Sequence, residues 1–335
     1  MGEFDLIARY FKRPVRRAAL GVGDDCALLL PRPGTQIAIS TDMLVAGRHF
    51  FADTDPCRLG HKSLAVNLSD LAACGAKPLA FTLALSLPGV DEPWLAAFAH
   101  GLLALADVHG CELIGGDTTA GPLNICITVL GEVPVVNGRS QALLRSGAKP
   151  GDDLYVSGTL GDARLALDAL LGNLHVPDAV LAAARLRLEQ PTPRVALGLA
   201  LRGVASAALD VSDGLIGDLG HLLESSGVGA TVDADAVTSL IAANRSSTLG
   251  RPAEGPLDLL LTQDQWRTLA LSGGDDYELL FTAPVPLREA VAQASRSSQT
   301  AVTRIGQIDA MPGLRLVDQR GQPLANRYTS FDHFA

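Results

Sequence analysis

Five aspartate-bearing segments of this chain have residue types and spacing suited to chemistry. They are Gly21-Val-Gly-Asp24-Asp25, Ser40-Thr41-Asp42, Asn67-Leu-Ser69-Asp70, Gly115-Gly116-Asp117-Thr118-Thr119 and Asp210-Val-Ser212-Asp213-Gly214. Each falls where an apolar run meets a small-residue turn. Such a turn delivers a carboxylate to a sheet edge or loop, where solvent and ligand reach it. One such aspartate is a turn residue, but five recurrences suggest that several carboxylates converge. Converging carboxylates repel one another and are costly to bury unless cations neutralise them. Oxygen ligands without His or Cys partners point to Mg²⁺ rather than zinc, and Mg²⁺ in quantity points to phosphate chemistry.

Each segment also has a plain structural reading. Asp24 and Asp25 are adjacent, so their side chains diverge and one of them is available as a ligand; an acidic turn fits equally. Asp42 after Ser40-Thr41 reads as a helix N-cap as readily as a ligand. Asp70 is the least comfortable of the set. It lies near the C-terminal end of an apolar helix, where the helix dipole disfavours it. The Gly-Gly-Asp-Thr-Thr segment reads either as a hairpin turn or as a loop offering backbone N–H groups and a carboxylate to a phosphate–Mg²⁺ unit. Asp213 caps the following helix, or else Asp210 and Asp213 hold metal while Ser212 and the helix N-terminus meet phosphate. The run Ser272-Gly-Gly-Asp275-Asp276-Tyr277-Glu278 is by itself a loop signal. His49, close to Asp42, is by itself an ordinary surface histidine.

Other phosphate and catalytic motifs are missing from the sequence. There is no GxxxxGK[ST] loop, and Gly21-Val-Gly23 is followed by two aspartates that would repel a pyrophosphate. The kinase signature set, a GxSxG elbow and a Ser/His/Asp triad are also absent from it.

The elements that position these residues follow from patterning. With 335 residues the chain is longer than one core usually supports, so two domains are expected, at 1–140 and 141–335. Hydrophobic residues make up 47% and aromatics 4%, so Ala, Leu and Val must build the cores of a soluble α/β or α+β enzyme. Net charge is −9 without a basic stripe, which disfavours nucleic-acid binding. Five scattered cysteines read as free thiols, and neither a leader nor a membrane span is visible, so the cytoplasm is expected. Helices are expected at 3–12, 56–74, 91–109, 162–171, 178–190, 194–203 and 214–226. Strands are expected at 26–30 and 36–40, joined by the Pro-Arg-Pro-Gly turn at 31–34, and at 79–87, 111–115, 123–133, 153–157, 205–210, 229–233, 278–283 and 301–308. In the first helix Phe4, Ile7, Tyr10 and Phe11 form the apolar stripe. Residues 243–257 read as a flexible excursion.

The runs GEFDLIARYF, GVGDDCA, ISTDMLVAGRHF, KSLAVNLSDLAACGAKP, LIGGDTT, RSGAKPGD, DVSDGL, SGGDDYEL and FDHF, in this order from residue 2 to 334, resemble the thiamine-monophosphate kinases. That family resembles the wider aminoimidazole-ribonucleotide synthetase group. The resemblance implies a two-domain fold of mixed sheets flanked by helices. It also implies an N-terminal α/β domain pairing its sheets in a homodimer, a C-terminal α+β domain, and ATP and thiamine monophosphate bound between the two. Carried over by position, it places metal ligands on Asp25, Ser40, Thr41, Asp42, Asp70, Asp117, Asp210 and Asp213. Nucleotide contacts fall on Gly116, Asp117, Arg145 and Ser212, and substrate contacts on His49, Asp275 and Phe331. Asp42, Asp70, Asp117 and Asp213 are the carboxylates expected to carry catalysis. Asp275 stands where Glu is frequent, and Phe331 where Tyr or Trp is frequent.

The implied reaction moves the γ-phosphoryl of ATP to the phosphate of thiamine monophosphate, giving thiamine diphosphate. The acceptor is already ionised, so a general base is unnecessary, and charge screening by several Mg²⁺ ions is the main requirement. Sister activities in the same group are the alternatives. A selenophosphate synthetase needs a reactive N-terminal Cys, whereas the first here is Cys26; a hydrogenase-maturation protein ends in a Cys, whereas this sequence reads His-Phe-Ala. A non-catalytic, divalent-ion-dependent nucleotide-binding scaffold is the alternative from another class.

Overall fold

The computed structural model describes residues 2–242 and 261–331. The expected excursion at 243–257 lies outside the described residues, as does the FDHF run beyond Phe331. The chain divides into two compact units, Met1–Ala142 and Leu143–Ala335.

The first unit is built on a five-stranded mixed sheet. Its strands are β3 (Thr35–Val45), β4 (Lys77–Leu87), β5 (Glu112–Ala120), β6 (Asn124–Val136) and the short β7 (Arg139–Ser140). The order is β3-β6-β4-β5, with β7 on β6; β4 and β5 are parallel and the other pairs antiparallel. Helices α2 (Pro56–Ala73) and α3 (Glu92–His109) start where Asp55 and Asp91 accept the Arg58 and Trp94 amides, each with a proline in the first turn. The stripe Leu59, Leu64, Leu68 and Leu71 of α2 is buried throughout. The two helices touch backbone to backbone. A Cβ on Gly60 would lie 2.1 Å from the Phe98 carbonyl oxygen, and one on Gly101 would lie 1.8 Å from that of Cys57.

Three expectations change here. The N-terminal helix is α1 (Glu3–Leu6) continued by a π-helical turn at Ile7–Phe11. The wider turn rotates the stripe, so Leu6 and Phe11 are buried while Phe4 is 82% exposed. The segments read at 26–30 and 36–40 do not pair with each other. Instead β2 (Leu28–Leu29) pairs with β1 (Ala18–Leu20), and β3 pairs along its whole length with β6. The Gly-Gly-Asp-Thr-Thr segment is not a loop, because β5 runs straight through it to Ala120. Pairing with β4 outweighs the local turn signal of its glycines. Gly116 is needed there: its φ is +146°, and a Cβ would meet the Leu83 carbonyl at 1.8 Å.

The second unit has a seven-stranded sheet in the order β14-β13-β10-β12-β8-β11-β9. These strands are β8 (Asp153–Ser157), β9 (Ala207–Val211), β10 (Gly229–Asp233), β11 (Glu278–Ala283), β12 (Val302–Asp309), β13 (Gly313–Val317) and β14 (Pro323–Leu324). Strands β8 and β11 and the edge strand β9 are buried at every residue. Helices α4 (Asp162–Leu170), α5 (Asp178–Glu189), α6 (Val195–Ala200) and α7 (Leu215–Ser226) appear as read from the sequence, with ends shifted by a few residues. Helices α8 (Ala234–Thr238), α9 (Gln263–Ser272) and α10 (Arg288–Ser298) were not read from it. The apolar positions of α10 are mostly alanine, which weakens its periodic signal.

Candidate functional site

In the first unit the alternation of β3 sorts the Ser40-Thr41-Asp42 run between two faces. The Ser40 hydroxyl donates to Asp70 Oδ2, so Ser40 faces α2. The Asp42 amide donates to Asn67 Oδ1 at 3.2 Å, and Asn67 in turn donates to the Ser63 carbonyl at 3.0 Å. Helix α2 therefore presents Asn67 and Asp70 to the strand from a largely buried polar edge that also contains Ser63. Thr41 points the other way and shares a 2.8 Å hydroxyl contact with Thr128, its partner in register on β6. The structure thus brings Ser40, Asp42 and Asp70 together and separates the Thr41 side chain from them. Asn67 belongs with this group; its signal was a buried amide one turn before Asp70.

A second group lies at the other edge of the sheet. Asp24, Asp25, Gly116 and Asp117 line a cleft of about 620 Å³, closed on its apolar side by Phe4, Ile7, Phe11 and Ala27. Asp24 Oδ1 accepts the Asp25 amide at 2.8 Å, which makes Asp24 the turn residue of the pair. Asp42, Ile127, Leu83 and Gly116 form one row across the sheet. Three strand spacings separate its ends, about 14 Å in all. Asp42 and the Gly116–Asp117 pair therefore sit at one level of the sheet, too far apart for one ion. Among the described residues, no group of three or more His, Cys, Asp or Glu side chains is placed to hold a metal ion. Within each unit the carboxylates are spread out, as mutual repulsion favours.

His49 has a structural part. Its Nδ1 accepts the Val45 amide at 3.0 Å, and its own amide donates to the Val45 carbonyl at 3.0 Å. It closes the turn after β3, and its Nδ1 is the unprotonated nitrogen.

In the second unit the Asp210–Gly214 turn is a hydrogen-bonding centre. Asp210 is 7% exposed on β9, in register with Leu279 of β11. Beyond it, the carbonyls of Val211, Ser212 and Asp213 accept the amides of Tyr277 at 2.8 Å, Asp275 at 2.8 Å and Phe331 at 3.0 Å. One turn thus gathers Asp210, Ser212, Asp213, Asp275 and Phe331. Asp275 and Tyr277 both adopt left-handed backbone, with φ of +64° and +50°, and the Tyr277 hydroxyl donates to Asp275 Oδ1 at 3.1 Å. Left-handed non-glycine residues are strained and persist when their surroundings hold them.

Those surroundings are two inward acids. Asp276 is buried, its Oδ2 accepting the Gly161 amide at 2.8 Å, and burial pushes its carboxyl well above the usual range. Glu278 is buried between Arg187 and Arg194 and also accepts the Ser157 hydroxyl at 2.5 Å. Both acids were read simply as parts of an acidic loop. Their signal was the alternation Asp275-Asp276-Tyr277-Glu278 leading into a strand.

The amides of Ser212, Asp213 and Gly214 do not face outward to meet a phosphate. All three donate to Asp218 Oδ2, each at 3.1 Å. Burial pushes the Asp218 carboxyl up to about 7; the amides act against this rise and the nearby Asp213 charge adds to it. Asp218 was missed, although an acid among Leu215, Leu219 and Leu222 is the same misfit that marked Asp70. Arg145 is anchored through its backbone. Its carbonyl accepts the Ser226 hydroxyl at the C-terminal end of α7. That is about 18 Å of helix away from Asp213.

This fold is that of an AIR synthase related protein. The N-terminal domain of that family matches residues 23–133 and its C-terminal domain matches residues 149–319. The thiamine-monophosphate kinase of Salmonella typhimurium (strain LT2) is 48% identical over 341 residues, covering 100% of this chain and 98% of that protein. The crystal structure of thiamine-monophosphate kinase from Stenotrophomonas maltophilia K279a is 46% identical and superposes with a TM-score of 0.79, covering 96% of both chains. AaThiL complexed with AMPPCP and TMP is 26% identical with a TM-score of 0.72, covering 91% of this chain and 89% of that one. The chain belongs to the thiamine-monophosphate kinase family.

Proposed function

We propose that this chain transfers the γ-phosphoryl group of ATP to thiamine monophosphate, forming thiamine diphosphate and ADP. The observation that carries this reading is the Asp213 turn. Its carbonyls fix the backbones of Asp275 and Phe331, so a carboxylate of the phosphoryl-transfer set and two of the three expected substrate contacts share one support. An acid and an aromatic suit the positively charged thiazolium ring. Full-length similarity to the curated kinases, and AMPPCP and TMP bound together in AaThiL, support the same assignment.

The donor set fits magnesium. The candidate ligands Asp25, Ser40, Thr41, Asp42, Asp70, Asp117, Asp210 and Asp213 offer oxygen alone, as a hard cation requires. Ser40, Asp42 and Asp70 would hold one ion, and Asp25 and Asp117 another. When bound, Mg²⁺ supplies screening of phosphate charge and in-line alignment. The chain's own contribution is positional. Ser40 orients the Asp70 carboxylate, Asn67 fixes the backbone at Asp42, and Asp24 fixes that at Asp25. The 620 Å³ cleft combines an apolar wall with acids at Asp25 and Asp117, which suits a nucleotide whose base is apolar-faced and whose phosphates carry cations. The reaction needs no general base, since the acceptor oxygen is already ionised, and direct transfer fits this set.

The chain works as a homodimer in this reading. On β3, Ile39 is 65% and Met43 55% exposed, flanking Thr41 on the sheet face away from α2. Such an apolar face suits a second copy. Five free cysteines suit the cytoplasm. Among the described residues no helix is long and apolar enough to cross a membrane.

The test is incubation with ATP, Mg²⁺ and thiamine monophosphate, with thiamine species resolved as fluorescent thiochromes. Thiamine diphosphate should form and should vanish on chelation with EDTA. A folded protein that makes none would refute the assignment.

A further inference from the structure

One buried carboxylate has no part in the reaction described above. Asp218 lies in the first turn of α7 and is 6% exposed among Leu215, Leu219 and Leu222. Packing does not call for an acid there, and burying one is costly unless its oxygens are satisfied. One oxygen of Asp218 accepts three consecutive amides, those of Ser212, Asp213 and Gly214. Three successive N–H groups meet on one atom when the chain curls around it. Gly214 makes the curl with φ +114°, and a Cβ there would lie 2.7 Å from the Ser272 carbonyl oxygen. The other side of the same turn is held by the amides of Tyr277, Asp275 and Phe331.

We propose that Asp218 is a positioning residue: by collecting the three amides it sets the direction of the Asp213 carboxylate and of the backbones of Asp275 and Phe331. The proposal rests on the kinase reading for what the turn is used for, but not for its geometry. Asp218 touches no substrate. Because it takes up the amides, the turn presents carboxylates outward instead of a bare N–H nest, and phosphate approaches this turn by way of a cation.

The test uses the full chain with Asp218→Ala, Asp218→Asn and, as a control deeper in the same helix, Leu222→Ala. Amide hydrogen exchange is followed on peptides spanning 211–218. Mn²⁺ uptake is followed by loss of the free-ion EPR signal, and thermal midpoints are recorded. Asp218→Ala should speed exchange at Ser212–Gly214 and weaken Mn²⁺ binding by ~10- to 100-fold, the usual cost of losing a group that orients a metal ligand. Asp218→Asn keeps an oxygen acceptor for the amides and should restore most of both. Leu222→Ala should lower the thermal midpoint without moving either readout. The proposal is overturned if Asp218→Ala exchanges and binds Mn²⁺ like the wild type. It is equally overturned if a folded Asp218→Asn is as impaired as the alanine variant, or if Leu222→Ala reproduces both effects. Should Asp218→Ala not fold, near-wild-type exchange in Asp218→Asn supports the proposal and fast exchange overturns it. A wild type that takes up no Mn²⁺ counts against the metal reading alone, because the exchange data still decide the role of Asp218.

Discussion

The guanidinium of Arg194 grips the Glu278 carboxylate with two nitrogens, Nε to Oε2 at 2.6 Å and Nη2 to Oε1 at 2.5 Å. Arg187 joins the same oxygen Oε1 at 2.8 Å. Glu278 is fully buried and pairs in register with Val211, the residue after Asp210. The ion cluster therefore lies beneath the turn that carries Asp213 and Asp275.

Glu278→Gln should cost about 3–5 kcal/mol of stability, the penalty for stranding buried partner charges. Urea denaturation at pH 7 measures it. A loss below about 1 kcal/mol would mean that the arginines find solvent or other acids in the variant.

Asp42→Asn and Asp70→Asn should each lower kcat at least ~100-fold while circular dichroism stays native, because each removes a carboxylate charge from the cation site proposed on Ser40, Asp42 and Asp70. Ser40→Ala should cost less, since it removes only the group orienting Asp70. Near-normal turnover in either Asn variant would remove that residue from the site.

Asp153 supplies a pH dependence of stability. It is buried on β8, and the Arg288 hydrogen bond, followed by Arg304, holds its carboxyl down to about 2 despite burial. A depressed pKa stabilises the fold above the unfolded value of about 4, and that contribution fades as pH falls from about 4 through 2. Asp153→Asn should therefore be less stable than the wild type at pH 7, with the gap closing between pH 4 and pH 2. Urea midpoints across that range test it; a constant gap would assign the loss to packing.

Met43→Glu should convert the proposed dimer to a monomer in sedimentation, because it places a charge on the exposed apolar face of β3. An unchanged mass, or a wild-type chain that is itself monomeric, would place the interface elsewhere or remove it.

Much of this molecule can be read from local sequence. Asp55-Pro56 and Asp91-Glu-Pro are caps whose chemistry acts within one turn, so α2 and α3 begin where the residues say. The misfit of Asp70 on an apolar helix marks a candidate ligand for the same reason: cost and context lie within a few residues. What tertiary structure decided involves partners distant in the chain. Gly115–Thr119 carries turn residues, yet pairing with β4 draws it into a strand. Ser40, Thr41 and Asp42 look like one group, and pairing with β6 splits them between two faces of the sheet. Asp275 and Phe331 reach the Asp213 turn through backbone hydrogen bonds spanning more than sixty and more than a hundred residues, which no local pattern encodes. Sequence determines where a carboxylate or a cap is available, because those energies are local. Which carboxylates share a support is set by strand pairing and burial, which act across the whole unit.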